Sequence, residues 1–193
     1  MDAKRLWRTI RLFTSRNRSA YIRKAHIFAN FGEKSTMSSR KVPLYPELIS
    51  IGNNVRLAAN VSLVTHDMIH AMLNNRQGNS TPFREYMGCI RIDDNVFVGA
   101  NTTILANVHI GSNVIIGACS LVNKDLESGY VYAGVPAKKI CTLDEFVSKR
   151  QFYAVYPEDM KRRGDSIEDK HASLIWEYFW ANRMSDNKEY KDV

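Results

Sequence analysis

Residues 92–126 read IDDNVFVGANTTILANVHIGSNVIIGACSLVNKDL. A step of six from Ile92 meets Val98, Ile104, Ile110, Ile116 and Val122, a branched aliphatic residue every time. Upstream, the same step joins Ile51, Leu57 and Leu63. The residue after each anchor is mostly small, as at Gly52, Ala58, Gly99, Gly111 and Gly117. Four after the anchors stand further aliphatics, among them Val55, Val61, Val96, Val108, Val114 and Leu126. A helix would repeat near 3.6 residues and a single strand at 2, so neither produces this period. A short strand followed by a tight corner does, with three such units making one coil. The corners carry asparagine three after the anchor, at Asn54, Asn60, Asn95, Asn101, Asn107 and Asn113. Asparagine is the non-glycine residue most tolerant of the left-handed turn conformation. Inward-pointing anchors would then stack on their equivalents one coil away, about 4.8 Å along the axis. A β-sandwich of alternating strands would not hold a six-residue phase over nine units.

The phase breaks once. Between Leu63 and Ile92 the chain inserts a loop, residues 68–91, that contains MIHAMLNNRQGNSTPFREYMG. Loops of this length in compact domains are usually functional or disordered, and a mobile surface loop is the plainer alternative here. The chain divides accordingly into a basic helical arm over 1–41, a repeat domain over 42–140 and a helical extension over 141–193.

Composition bounds the function. With 193 residues, 45% apolar and 24% charged, the chain reads as one globular domain with appendages. No run is long and apolar enough for a membrane-spanning helix. The first residues have neither the apolar core nor the cleavage site of a secretory signal, and three cysteines (Cys89, Cys119, Cys141) give no disulfide framework. A cytoplasmic protein is expected. The net charge of +7 belongs to the arm, where 11 basic side chains face 2 acidic ones. No helix-turn-helix, zinc-finger or RNP-like pattern accompanies that charge, so no nucleic-acid partner is expected. The arm's apolar residues suit helices that cap the open end of the coil and protect its strand edges. Arg5, Arg8, Arg11, Arg16 and Arg18 would also suit weak association with an anionic membrane surface. In the extension, Leu174, Ile175, Tyr178, Phe179 and Met184 form a helical stripe beside Trp176 and Trp180, with Pro157 separating two helices.

The motifs IGNNV, VGANTTILANVHIGSNVIIGACSLVNKDL and YAGVPAKKI resemble the hexapeptide-repeat acyltransferases. The branch most similar is that of the maltose, galactoside and capsular-polysaccharide O-acetyltransferases. The resemblance covers about residues 45–140. It implies a mainly β fold, a left-handed parallel β-helix with N-terminal and C-terminal helices, assembled as a homotrimer around clefts between coils.

Among the five histidines, His66 stands out by position. It lies in SLVTHDMIH, three after the anchor Leu63 and just before the insertion. The resemblance implies the catalytic histidine at this point, as general base toward an acceptor hydroxyl. No serine or cysteine lies in a nucleophile-elbow pattern, which favours direct transfer over an acyl-enzyme. Asp67 is a candidate for acceptor binding, although neighbours on a strand point to opposite faces and it would not easily reach the His66 ring. The insertion adds the amides of Asn74, Asn75 and Gln77 and the rings of Phe83 and Tyr86, a mixture suited to a carbohydrate acceptor. The resemblance further implies acetyl-CoA as donor, in a groove lined at Phe97, Ala100, Ala118, Asn123, Lys124 and Lys138. Cys141 stands where that family carries a basic residue, which leaves Lys138 and Lys139 for the phosphates. No metal is required. A carbonic anhydrase on the same fold would nominate His66, His70 and His109, but that class pairs two ligands five residues apart, and Val114 stands five after His109. An N-acyltransferase acting on an amine and a non-catalytic scaffold are the remaining alternatives.

Overall fold

Every anchor of the six-residue step lies in the core: Ile51, Val98, Ile104, Ile110, Ile116 and Val122 are fully buried, and Leu57, Leu63 and Ile92 nearly so. The computed structural model describes residues 3–15, 17–76, 82–151 and 167–186. The strands are two to five residues long and run in three sheets that the chain visits in rotation. One sheet orders β1 (Asn30–Phe31), β3 (Ile49–Ile51), β6 (Ile90–Ile92) and β9 (Val108–Ile110). The second orders β2 (Thr36–Met37), β4 (Arg56–Leu57), β7 (Val96–Val98), β10 (Val114–Ile116), β12 (Tyr130–Ala133) and β13 (Lys138–Thr142). The third holds β5 (Ser62–Leu63), β8 (Thr103–Ile104) and β11 (Leu121–Val122). We call these sheets A, B and C.

All ladders are parallel except β12 with β13. Val96 pairs with Val114 and Thr103 with Leu121, so one coil takes eighteen residues. Arg56 pairs with Phe97 and Ser62 with Thr103, forty-one residues on, because the insertion lengthens that coil. The sheet faces keep their registers across it, so the insertion leaves and re-enters at one edge.

The corners follow from asparagine chemistry. Asn54, Asn60, Asn95, Asn101, Asn107 and Asn113 all have φ between 52° and 60°. Their side chains form rungs along the coil: Asn54 Nδ2 donates to Asn95 Oδ1 at 3.0 Å, Asn95 Nδ2 to Asn113 Oδ1 at 3.1 Å, and Asn60 Nδ2 to Asn101 Oδ1 at 3.2 Å. Cys119 takes the same conformation, φ 58°, one coil above Asn101. Gly99 is required by close approach: a Cβ there would lie 2.4 Å from the Ala118 backbone nitrogen.

The coil extends beyond the repeats read from sequence. Phe31 pairs with Ile51 and Met37 with Leu57 at a step of twenty, so β1 and β2 add a first turn inside the stretch read as arm. Lys34, φ 60°, makes its corner. The last turn shortens, Ile116 pairing with Tyr132. Helices α1 (Ala3–Thr14) and α2 (Arg18–Lys24) precede the coil. Asn17 caps α2, its Oδ1 accepting from the Ala20 N–H at 3.0 Å. Helix α2 packs on β1 and β2, the outer strands of sheets A and B, and Ile22, Ile27 and Phe28 continue the core. A short helix, α3 (Ile69–Asn74), opens the insertion, and α4 (Leu143–Arg150) follows β13.

Residues 148–193 form a second compact unit. Its described helix, α5 (Asp169–Asp186), stacks Trp176 on Trp180 with ring centroids 6.4 Å apart. Pro157 and Gly164 lie outside the described residues, as do Gln77 and Arg16.

Candidate active site

His66 lies where the chain leaves sheet C for the insertion. The corner phase suggests a left-handed turn at this residue. The structure differs: His66 is absent from the positive-φ residues and instead pairs with Met87 in an isolated antiparallel bridge. Two further bonds close this neck, Gly88 N–H to Thr65 O at 2.8 Å and Asp67 N–H to Tyr86 O at 3.2 Å. A corner must turn onto the next sheet, whereas the insertion must return to its own starting point, and a short antiparallel neck does that.

The His66 ring is half-buried and meets Tyr45 edge-on, centroids 5.2 Å apart. Tyr45 is fixed in turn. Its φ is 50°, its hydroxyl donates to Glu85 Oε1 at 3.2 Å, and Thr65 Oγ1 holds the preceding Leu44 carbonyl at 2.8 Å. Burial first, then the Glu85 carboxylate, raises the Tyr45 hydroxyl above its ordinary pKa, so it stays a donor. His66 Nδ1 is buried without a hydrogen-bond partner. His70 Nδ1 is in the same state, so it is the place of His66 at the neck, against Tyr45, that sets it apart.

The three candidate acceptor residues sit around this neck, and each builds the loop. Asp67 Oδ1 accepts from the Ile69 N–H at 3.0 Å, at the start of α3, and so serves its own turn rather than the His66 ring. Asn74 braces the loop both ways: Nδ2 donates to Phe83 O at 2.8 Å and Oδ1 accepts from Phe83 N–H at 2.7 Å. Tyr86 OH accepts from Asn107 Nδ2 at 2.6 Å, tying the loop to the corner between sheets C and A. Phe83 and Tyr86 stay exposed. Beside β5 a cavity of about 440 Å³ opens between Ser39, Lys41 and Leu44 on one side and Asn60, Ser62 and Leu63 on the other. Leu44 carries it up to Tyr45.

The candidate cofactor residues fall in two places. Phe97 is exposed on sheet B. Ala100 and Ala118 stack on the edge from B to C, where Cys119 N–H donates to Ala100 O at 2.8 Å. Lys138 joins them, because its strand pairs it with Ala133, the residue against Gly117. Asn123 and Lys124 stand past β11, on the other edge of sheet C, with Asn107 and the neck of the insertion. Lys139 is held by Glu127, Nζ to Oε2 at 2.7 Å, and sits 3.8 Å from the Tyr130 ring centroid. The Glu127 bond raises its pKa above the ordinary lysine value. The exposed apolar ring, small corners, open amides and separate cations fit an amide-bearing, anionic ligand.

His109 is elsewhere. It faces out from sheet A, its Nε2 2.8 Å from Asp93 Oδ2, and Arg91 Nε donates to Asp93 Oδ1 at 2.8 Å. Desolvation raises the Asp93 carboxyl, but the bonds and charges of Arg91 and His109 outweigh it and leave the pKa below the usual value. His109 is thus engaged by Asp93 on sheet A, and no group of three metal-ligating side chains forms among the described residues. Tyr45 and Glu85 were invisible to sequence reading. The signal nearest to them is Pro46, which marks a turn at Tyr45 and says nothing about its ring.

Three parallel sheets visited in rotation, an interrupting loop and a half-buried imidazole at its neck are the features to set beside known proteins. Residues 90–124 match the bacterial transferase hexapeptide family (six repeats). The chain is 38% identical over 99 residues to the galactoside O-acetyltransferase of Escherichia coli (strain K12), covering 50% of this chain and 45% of that protein. A shorter match, 47% identical over 57 residues, joins it to 2,3,4,5-tetrahydropyridine-2,6-dicarboxylate N-acetyltransferase of Clostridium perfringens (strain SM101 / Type A), over 30% of this chain and 24% of that one. Among solved structures, a galactoside acetyltransferase in complex with coenzyme A superposes with a TM-score of 0.57 at 27% identity, over 83% of this chain and 88% of that one. The chain spans about half the length of the curated relatives it matches. The chain is thus similar to hexapeptide-repeat transferases, and the family's repeat lies in residues 90–124.

Proposed function

We propose that this protein is an acetyl-CoA-dependent O-acetyltransferase that modifies a sugar hydroxyl, with His66 as general base. The observation that carries this reading is the His66 ring itself, half-buried at the mouth of the insertion and held edge-on by Tyr45. Acetyl-CoA supplies an activated thioester. His66 takes the proton of the acceptor hydroxyl as that oxygen forms its bond to the acetyl carbon, and the thiolate leaves. Tyr45 keeps the ring from turning away. The coil is read as left-handed, by similarity to the family.

The galactoside acetyltransferase was solved with coenzyme A, which supports a coenzyme A site on this chain's matching face. Phe97, Ala100, Ala118 and Lys138 would hold it from one edge of sheet C, and Asn123 and Lys124 from the other. A second copy standing against that face would close it into a groove, so the active form is a homotrimer with three such clefts. The cavity lined by Ser39, Asn60 and Ser62, together with the exposed Phe83 and Tyr86 rings, suits the hydroxyls and apolar faces of a sugar. The N-acetyltransferase among the relatives keeps an amine acceptor as the second reading. A panel of free sugars, nucleotide sugars, lipid-linked oligosaccharides and amines, offered with acetyl-CoA and scored by product mass, separates them. Turnover confined to amines would reject the hydroxyl reading, and acetylated sugar alone supports it.

A further inference from the structure

Helix α1 is docked through Leu12 and Arg8, with its broader apolar stripe outward. Leu6, Ile10 and Phe13 follow one another at helical spacing on one face, with Trp7 beside them, and their exposures are 45%, 45%, 61% and 65% for Leu6, Ile10, Phe13 and Trp7. The helix is anchored instead through the opposite face. Leu12 is fully buried there, and Arg8, one turn back, reaches Glu47 Oε1 at 3.4 Å with most of its side chain covered. A capping helix would turn its apolar stripe toward the coil. This one turns four large apolar side chains away from it, a patch that soluble surfaces seldom leave open.

Charge selects the occupant. The stretch that holds the patch, residues 1–41, carries 11 basic and 2 acidic residues. Arg11 is exposed on the same helix, and the Arg40 guanidinium lies 4.6 Å over the Phe13 ring, at the margin of the stripe. Two copies pressing these faces together would bring two strongly cationic arms into contact, and like charges oppose that. An anionic bilayer accepts both features: the stripe enters the headgroup boundary and the guanidinium groups stay with the phosphates. No described helix is long and apolar enough to cross a membrane, so the contact lies on the surface.

We propose that α1 docks the protein, parallel to the surface, on anionic membrane through Leu6, Trp7, Ile10 and Phe13, with Arg11 and Arg40 at its rim. The expected partition is selective for negative lipid, with each rim arginine contributing roughly fivefold. The test uses the full chain, sedimented with vesicles of phosphatidylcholine alone or with about one-third phosphatidylglycerol. Wild type binds the second and not the first, and raising salt from about 0.1 to about 0.5 M weakens binding at least tenfold. Trp7→Glu and Ile10→Glu each weaken it by about tenfold or more. Both side chains are exposed, so the fold is expected to persist, which an unchanged circular dichroism melt would check, and Phe13→Glu serves as a third variant. Light scattering on the same samples gives an unchanged subunit number. Equal binding by the variants and wild type overturns the proposal, as does absence of binding to the anionic vesicles. A fall in subunit number in Ile10→Glu also overturns it, by assigning the stripe to a second copy of the chain.

Discussion

Replacing Asn95 by alanine and, separately, by glycine tests the corner chemistry that builds the coil. Asn95 sits at φ 59°, accepts a rung from Asn54 at 3.0 Å and donates one to Asn113 at 3.1 Å. Both substitutions remove both rungs. Exposed side-chain bonds of this kind contribute about 0.5–1 kcal/mol each, so either variant loses roughly 1–2 kcal/mol. Alanine adds left-handed strain of about 1–2 kcal/mol. Glycine avoids that strain but gains freedom in the unfolded chain, which costs about 0.5–1 kcal/mol. Alanine should therefore be the worse of the two by about 1 kcal/mol, or about 2–4 °C in Tm for a chain of this size. At Ser62, an exposed residue in the extended backbone of β5, the order should reverse, with glycine the worse. Thermal unfolding followed by circular dichroism reads both pairs. If Asn95→Gly melts at or below Asn95→Ala, the left-handed corner is not what selects asparagine, and the account of the coil fails.

Two further outcomes follow from the geometry. Tyr45→Phe keeps the ring against His66 and should retain kcat within about threefold, whereas Tyr45→Ala loses an edge-on contact of about 0.5–1.5 kcal/mol and should lower kcat by about 3–10-fold; equal losses in the two variants, measured by thiol release, would move the role from the ring to the Glu85 bond. The Asp93 carboxyl lies below its ordinary pKa in the folded protein, so its contribution is present above the unfolded value near 4 and is lost as pH falls through the folded value. Asp93→Asn should thus be less stable than wild type at neutral pH, by about 1 kcal/mol or less, with the gap closing below about pH 4; a gap that widens on acidification contradicts the Arg91–Asp93–His109 cluster.

The coil was legible because its physics is local and periodic. Each turn must bury one branched residue and bend once, so Ile, Leu or Val and Asn recur in a fixed phase, and every such position is buried or left-handed as read. The first turn escaped because Phe31 and Met37 replace the branched anchors, Lys34 replaces the corner asparagine, and the step to the next turn is twenty. The last turn drifts out of phase for a similar reason, since Ile110 bridges to Leu126 and not to the residue eighteen on. Site geometry was less legible. The sequence marks His66 by its place before the insertion, but Tyr45 and Glu85 approach it from stretches with no periodic pattern. Asn74 was read as a ligand group because an amide in a loop has two uses, and only the structure shows both of its ends bonded to Phe83. The apolar residues of α1 were expected to face the coil, an expectation that amphipathic spacing alone cannot orient; Leu12 and Arg8 decide the docked side.

The most direct test of the proposed chemistry is a comparison of His66→Ala with wild type in a coenzyme A release assay on an accepted sugar, with acetyl-CoA binding measured on the same preparations. Loss of the base should lower kcat by about 10²–10⁴ while acetyl-CoA affinity stays within about twofold, because the imidazole meets the acceptor oxygen. A variant that turns over within about threefold of wild type, folded and binding acetyl-CoA, would contradict the assignment of His66 as the base.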